Sequence, residues 1–209
     1  IVTGDWSSDV CSSDLITVTK LEKVGDQHKA VKATISIAPD APLGEHMMRL
    51  RCKGGISYQR SFWVGEYPTV MEKRSEDGSR DLNSNFNEPQ EIQINQTVQG
   101  VADREDADYY LLQCRKGQRL SVEVEGMRLG RLLFDPYVAI LNKDRFELAS
   151  SDDTALLFRD CAASIIVPED GPYTILVRES SYQGTGACQY RLHVGEFPQI
   201  GRASCRERV

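Results

Sequence analysis

The chain has 209 residues, of which 40% are hydrophobic, 27% charged and 8% aromatic, and a formal net charge of -6; this is material for one or two ordinary globular domains. No run approaches the length of apolar sequence that a membrane-spanning helix needs, and the mixed, mildly acidic charge excludes a basic nucleic-acid binder and a highly charged disordered chain. The 16 Gly and 8 Pro are scattered rather than clustered, as suits a protein with many turns.

From the N-terminus, Asp5 to Leu15 read DWSSDVCSSDL, and at the far end Ile200 to Val209 read IGRASCRERV. Both resemble translated adapter oligonucleotides from short-read sequencing libraries. Residues 1–15 and 200–209 are therefore set aside as scars are, and 16–199 is the expected native segment of a longer protein. Removing three basic and four acidic residues leaves it a net charge of -5. Val31, Ala33, Ile35 and Ile37 alternate with Lys32, Thr34 and Ser36, and Met48, Leu50 and Cys52 with Met47, Arg49 and Arg51. A period of two is that of half-buried strands. A Gly54-Gly55 turn leads to the Tyr58 to Val64 run, so 16–70 reads as the last three strands of a truncated β-sandwich fragment. Its closing phrase, Phe62-Trp63-Val64-Gly65-Glu66-Tyr67-Pro68, is echoed by Leu192-His193-Val194-Gly195-Glu196-Phe197-Pro198. In each, Pro ends a strand-like run.

Residues 71–88 are polar with almost nothing to bury, and are expected to form a linker. In 89–199 the two-residue period returns at Ile92 and Ile94, Tyr109 to Cys114, Leu120 to Val124, Tyr137 to Leu141, Phe146 to Ala149, Ala162 to Val167, Tyr173 to Val177 and Tyr190 to Val194. Turn signals separate them at Lys116-Gly117, Asn142-Lys143-Asp144, Glu169-Asp170-Gly171-Pro172 and Gly184-Thr185-Gly186. About eight short strands predict an all-β antiparallel sandwich, jelly-roll-like, that is large enough to fold alone. Only Met127 to Leu133 and Thr154 to Arg159 have room for a helical turn.

Cys52, Cys114, Cys161 and Cys188 lie far apart with no C-x-x-C pair, so neither a zinc site nor a redox motif is signalled. Four cysteines allow three pairings, and free core thiols are the equal alternative. His28, His46 and His193 have no motif partners, and neither G-x-S-x-G nor H-E-x-x-H occurs; no catalytic residue is predicted. His193 is out of phase with Leu192 and Val194, which makes it a surface or structural histidine. Gly184-Thr185-Gly186 reads as a hairpin turn rather than a phosphate loop, because no strand-loop-helix context follows.

The acids are the site candidates. Asp103, Glu105, Asp106 and Asp108 crowd the start of one strand, while Asp135, Asp152, Asp153 and Asp160 lie at strand ends or in loops. Calcium takes six to eight oxygens, which clustered loop carboxylates supply. Asp106 and Asp108 are the leading metal ligands and Asp152 and Asp153 the secondary ones; the competing reading is solvated turn acids, with Arg104 as the local counter-ion. Among Tyr109, Tyr110, Tyr137, Tyr173, Tyr182 and Tyr190, core packing is the default and Tyr182 is the candidate for a binding surface. Asn95-Gln96-Thr97 matches a glycosylation sequon.

Four stretches of the second unit resemble the bacterial pre-peptidase C-terminal domain, a β-sandwich found beside secreted peptidases. They are Asp106-Ala107-Asp108-Tyr109-Tyr110, Lys116-Gly117-Gln118-Arg119-Leu120, Leu133-Phe134-Asp135-Pro136 followed by Ser151-Asp152-Asp153, and Glu169-Asp170-Gly171-Pro172-Tyr173 before Val177-Arg178. The upstream segment Asn83 to Pro89 departs from the E-P-N-[DN] linker common in that family. Ala38 to Gly44 before a strand is similar to the end of an immunoglobulin-like module. The resemblance implies a noncatalytic accessory module of a secreted or cell-envelope multidomain protein, acting as spacer or targeting domain, with calcium near the D-x-D strand. It also implies neighbouring domains of the same chain as partners, and a polysaccharide or extracellular protein as ligand. The alternatives are the accessory domain of a secreted peptidase and a calcium-dependent carbohydrate or matrix binder.

Overall fold

The alternating runs are realised as strands. The computed structural model describes residues 7–10, 15–24, 30–52, 55–78, 81–129, 134–155, 157 and 159–198, and the chain divides into two units, Ile1–Glu66 and Tyr67–Val209.

In the first unit β1 (Ser7–Val10), β5 (Gly55–Ile56) and β6 (Arg60–Val64) all pair antiparallel with β4 (Gly44–Cys52), while β2 (Ile16–Val24) and β3 (Ala30–Ile37) form a separate antiparallel pair. Of the terminal stretches set aside in the sequence, Ser7–Val10 is thus paired backbone, from Ser7↔Arg51 to Val10↔Met48; residues 1–6, 11–14 and 199–209 lie outside the described residues, as does His28. Among the described residues of this unit only Ile16 and Ala41 are buried hydrophobics, while Ile37, Leu43, Met47, Ile56 and Tyr58 are exposed. Such small sheets bury little apolar surface by themselves.

The second unit is an all-β sandwich of two five-stranded sheets. One runs β13-β12-β15-β10-β8 and the other β14-β11-β16-β9-β7. Their strands are β7 (Thr69–Met71), β8 (Gln90–Glu91), β9 (Gln96–Val101), β10 (Asp108–Cys114), β11 (Arg119–Glu125), β12 (Pro136–Leu141), β13 (Glu147–Ser151), β14 (Cys161–Ile166), β15 (Gly171–Glu179) and β16 (Gln189–Gly195). The pairings are antiparallel except at two edges, where β7 runs parallel to β9 and β8 parallel to β10. A single 3-10 turn, Met127–Leu129, is the one helical element among the described residues. The core lies between the sheets: Tyr110, Leu112 and Cys114 of β10, Val138 and Ile140 of β12 and Tyr173, Ile175 and Val177 of β15 face Leu120, Val122 and Val124 of β11 and Tyr190, Leu192 and Val194 of β16. Each set keeps a period of two, so each strand gives one face to the core.

In the first unit Ile16–Val24 is a strand beyond the three expected, and three further features differ from the expected layout. The strand expected at Ile92 and Ile94 is instead Gln96–Val101; its Gly100 hid it, and Gly is required there because the ring of the cross-strand partner Tyr190 lies where a Cβ would be. The strand expected from Phe146 to Ala149 is Glu147–Ser151, paired with an irregularity between Ile140 and Leu141, and Phe146, which precedes it, is exposed. Finally, the stretch 71–88, expected as a linker, lies within the second unit and is bonded to its strands. Glu72 N donates to Gln99 O (2.9 Å) and Tyr109 N to Asn83 O (2.9 Å), while Leu82 N donates to Lys73 O (3.0 Å) within the stretch. Within the second unit, Tyr67 and Phe197 are stacked 6.4 Å apart.

Candidate metal centre

Asp108 opens β10 on the core-facing side, one step beyond Tyr110, so its carboxyl sits at the end of the interior and is fully buried. The preceding loop brings Asp103 and Asp106 to the same place. That loop is held by the 180–188 loop: Glu105 N donates to Tyr182 O (3.1 Å), and a Cβ on Gly184 would overlap the carbonyls of Ala102 and Asp103. Glu105 and Tyr182 both adopt left-handed backbone, with φ of 58° and 59°, a conformation costly for non-glycine residues and kept where packing dictates it.

Three further residues arrive from the segment expected as linker. Glu72 directly follows β7, Asp81 lies opposite Arg74 in a backbone bridge, and Asn83 is fully buried beside β10. Glu72 is fixed on both flanks by one side chain: Gln90 Oε1 accepts from Lys73 N (2.7 Å), and Gln90 Nε2 donates to Met71 O (3.0 Å). Its own Oε2 accepts from Val101 N (3.0 Å). One ligand oxygen each from Glu72, Asp81 and Asp106 then lie within 4.8 Å of one another, and the Glu72 carboxyl also adjoins Asp108.

Several buried oxygens in this cluster lack a well-formed hydrogen bond. Tyr190 donates to Asp108 Oδ2 (2.6 Å), and the Tyr110 and Tyr190 hydroxyls are 2.6 Å apart. By contrast Glu72 Oε1, Asp106 Oδ2, Asp108 Oδ1 and both amide atoms of Asn83 make no well-formed hydrogen bond, although the Asn83 amide lies beside the Tyr110 hydroxyl and the Ser84 hydroxyl beside the Asp106 carboxyl. Ionised carboxylates only accept, so neighbouring carboxyl oxygens require a proton or a cation between them. The electrostatics agree. Burial pushes the Glu72 carboxyl up to about 7, burial raises Asp106, and burial together with the adjacent Glu72 raises Asp108 well above the ordinary carboxylate range. The basic neighbour is Arg74, which pairs with Asp81 and with Asp103 (2.7 Å). Arg104 is exposed, and its backbone bridges Gln183.

The other candidates fall elsewhere. Asp152 and Asp153 are exposed; they adjoin Asp135, whose carboxyl is raised by partial burial and then by Asp153. Asp160 is fully buried but satisfied, accepting from Gly126 N (2.9 Å), Met127 N (2.6 Å) and Arg128 Nε (2.6 Å). His46 is bonded to Pro42 O. His193 lies between the Thr97 hydroxyl (2.9 Å from Nδ1) and Glu125 (3.0 Å from Nε2). This order of groups is that of a nucleophile, base and acid, yet Thr97 is fully buried and Glu125 is also paired with Arg191 (3.2 Å), which makes it an ion-pair network. Cys114, Cys161 and Cys188 are buried free thiols; burial pushes Cys114 up to about 11, away from the reactive thiolate. Tyr110, Tyr173 and Tyr190 are core, Tyr109 and Tyr137 are half-buried, and Tyr182 is 44% exposed, with the guanidinium of Arg178 over its ring and over that of Tyr137. Asn95 is exposed, while Thr97 of the same sequon is buried.

No family model matches the chain, and no curated protein is significantly similar to it. Among solved structures it is similar to the pre-peptidase C-terminal domain of a collagenase from Bacillus anthracis, at 15% identity and a TM-score of 0.42, over 51% of this chain and 94% of that one. It is also similar to PliG of Aeromonas hydrophila, a periplasmic inhibitor of g-type lysozyme, at 15% identity and a TM-score of 0.37, over 63% and 98% of the two chains. The secreted serine protease VesC of Vibrio cholerae is similar at 12% identity and a TM-score of 0.32, over 92% of this chain and 42% of that one.

Proposed function

We propose that the acid cluster at the start of β10 binds a divalent cation, calcium, and that the chain serves as a noncatalytic accessory β-sandwich. Its setting is a secreted or cell-envelope multidomain protein, where it acts as spacer or targeting module. The observation that carries the cation reading is the set of buried oxygens on Glu72, Asp106 and Asp108 that accept no well-formed hydrogen bond. An all-oxygen set of carboxylates with an amide carbonyl alongside suits a hard cation of calcium's size. Glu72, Asp81 and Asp106 would hold it, with Asp108 and Asn83 completing the ring of acceptors. The noncatalytic reading is supported by the burial of the Thr97 hydroxyl beside His193, which keeps substrate away from that hydroxyl. The accessory role rests on the sequence motifs, and its ligand class, a polysaccharide or extracellular protein, is tested by pull-down on insoluble polysaccharide and collagen with and without chelator.

The test of the cation reading is thermal unfolding in calcium and in chelator, for the native chain and for Asp106→Asn with Asp108→Asn. Binding to the folded state alone adds about 2.7 kcal/mol at a hundredfold excess over Kd, so the native Tm rises with calcium and that of the double variant stays flat. A native curve that ignores calcium returns these acids to turn chemistry.

A further inference from the structure

We infer that Arg74 is the resident cation of the acid cluster and sets its divalent affinity: the guanidinium occupies part of the negative charge that a metal ion would use, and so weakens the site. This rests on the cation reading of the cluster given above. Five carboxylates converge there, Glu72, Asp81, Asp103, Asp106 and Asp108, and among the described residues Arg74 is the one basic side chain in ion-pair range of any of them. Side-chain exposure orders the group by depth. Arg74 is 29% exposed and Asp103 38%, whereas Asp81 is 7% and Glu72 2% exposed; Asp108 is fully buried. Arg74 therefore lies on the solvent side of the buried acids, tying the 74–81 bridge to the loop before β10.

Asp81 is the shared residue. It pairs with Arg74 Nε and also supplies one of the three oxygens that converge with those of Glu72 and Asp106. A metal ion bound to that triad would therefore sit next to a fixed positive charge, since an arginine does not deprotonate in a protein. The affinity of an oxygen site follows the charge count of its ligands, and like charges a few ångströms apart in a half-buried setting repel strongly. Arg74 Nε is also 3.9 Å from Glu72 Oε2, so its charge acts on two of the three triad members. The position is not incidental to the fold, because the Arg74↔Asp81 backbone bridge and the bond from Leu82 N to Lys73 O (3.0 Å) place the side chain opposite its partner.

The experiment is a calorimetric titration of the full chain with calcium chloride, for native protein, Arg74→Gln and Arg74→Lys, together with thermal unfolding of each in calcium and in chelator. Removing the charge in Arg74→Gln is expected to tighten calcium binding by about tenfold or more and to enlarge the calcium-induced rise in Tm. Arg74→Lys, which keeps the charge, is expected to bind as the native chain does. If Arg74→Gln is unfolded in chelator, millimolar calcium should refold it, because the ion then replaces the lost positive charge; failure to refold overturns the inference. Native binding with no tightening in Arg74→Gln overturns the role of Arg74 and leaves the cation site standing. Absence of binding in both proteins removes the cation reading itself, while binding seen only in Arg74→Gln supports the inference most strongly.

Discussion

Asp108 and Asp160 are the same residue type at the same zero exposure, and what surrounds them gives them opposite roles. Asp160 accepts from two backbone amides and the Arg128 guanidinium, so it fastens the turn after β11. Asp160→Ala strands those donors and is expected to cost roughly 3 kcal/mol, read as a lowered urea midpoint. Asp108 has one donor, Tyr190, and an adjoining carboxyl, so its second oxygen waits for a proton or an ion. Glu72 makes this measurable. Its folded carboxyl titrates near 7 against an ordinary 4.5, so the fold favours the protonated form. The resulting stabilisation is fully present below about pH 4.5 and is lost as pH rises through 7. In chelator, the native chain should lose on the order of 3 kcal/mol relative to Glu72→Gln between pH 4.5 and 8, measured by urea unfolding at each pH. Calcium should shrink that loss, because the ion takes over the role of the proton.

At the level of elements, legibility followed the number of inward apolar residues in each strand, and the six-residue β9, interrupted by Gly100, was missed where the equally long β12 was read. The long strands β10, β11, β12, β15 and β16 carry several inward residues each, so their period of two was readable from the chain. The short parallel edges β7 and β8 have three and two residues, too few to show any period, and they lie in or beside a stretch that reads as solvated. Beyond its pairing with β9, β7 is fastened at its end by Gln90, 5% exposed, whose amide bonds both sides of Glu72 and satisfies groups on the edge that would otherwise face outward. Gln90→Leu removes both bonds. It is expected to cost about 1–3 kcal/mol and to speed amide hydrogen exchange at Glu72 and Lys73, while the β10–β15 ladder stays protected. Equal acceleration in that ladder would mean that Gln90 supports the whole sandwich rather than its edge.

For the molecule as a whole, the sandwich was legible because its core is written in local alternation. The acid cluster was legible only by half. Asp106 and Asp108 were visible because acids crowd one strand start, whereas Glu72, Asp81 and Asn83 lie more than twenty residues earlier, in sequence whose polarity reads as exposure. Their burial comes from topology: β7 and β8 join opposite sheets, and the segment between them is drawn across the end of the core at Asp108. A polar stretch that holds acids and a buried asparagine between two edge strands has no local signature, because its partners are supplied by other strands. The most direct measurement is a crystal of the chain grown in calcium chloride, with anomalous scattering used to find the ion. One peak is expected among the carboxylates of Glu72, Asp81 and Asp106, at about 2.3–2.6 Å from their oxygens. A structure of the same crystals with no peak there, or with calcium bound only at Asp152 and Asp153, would contradict the account.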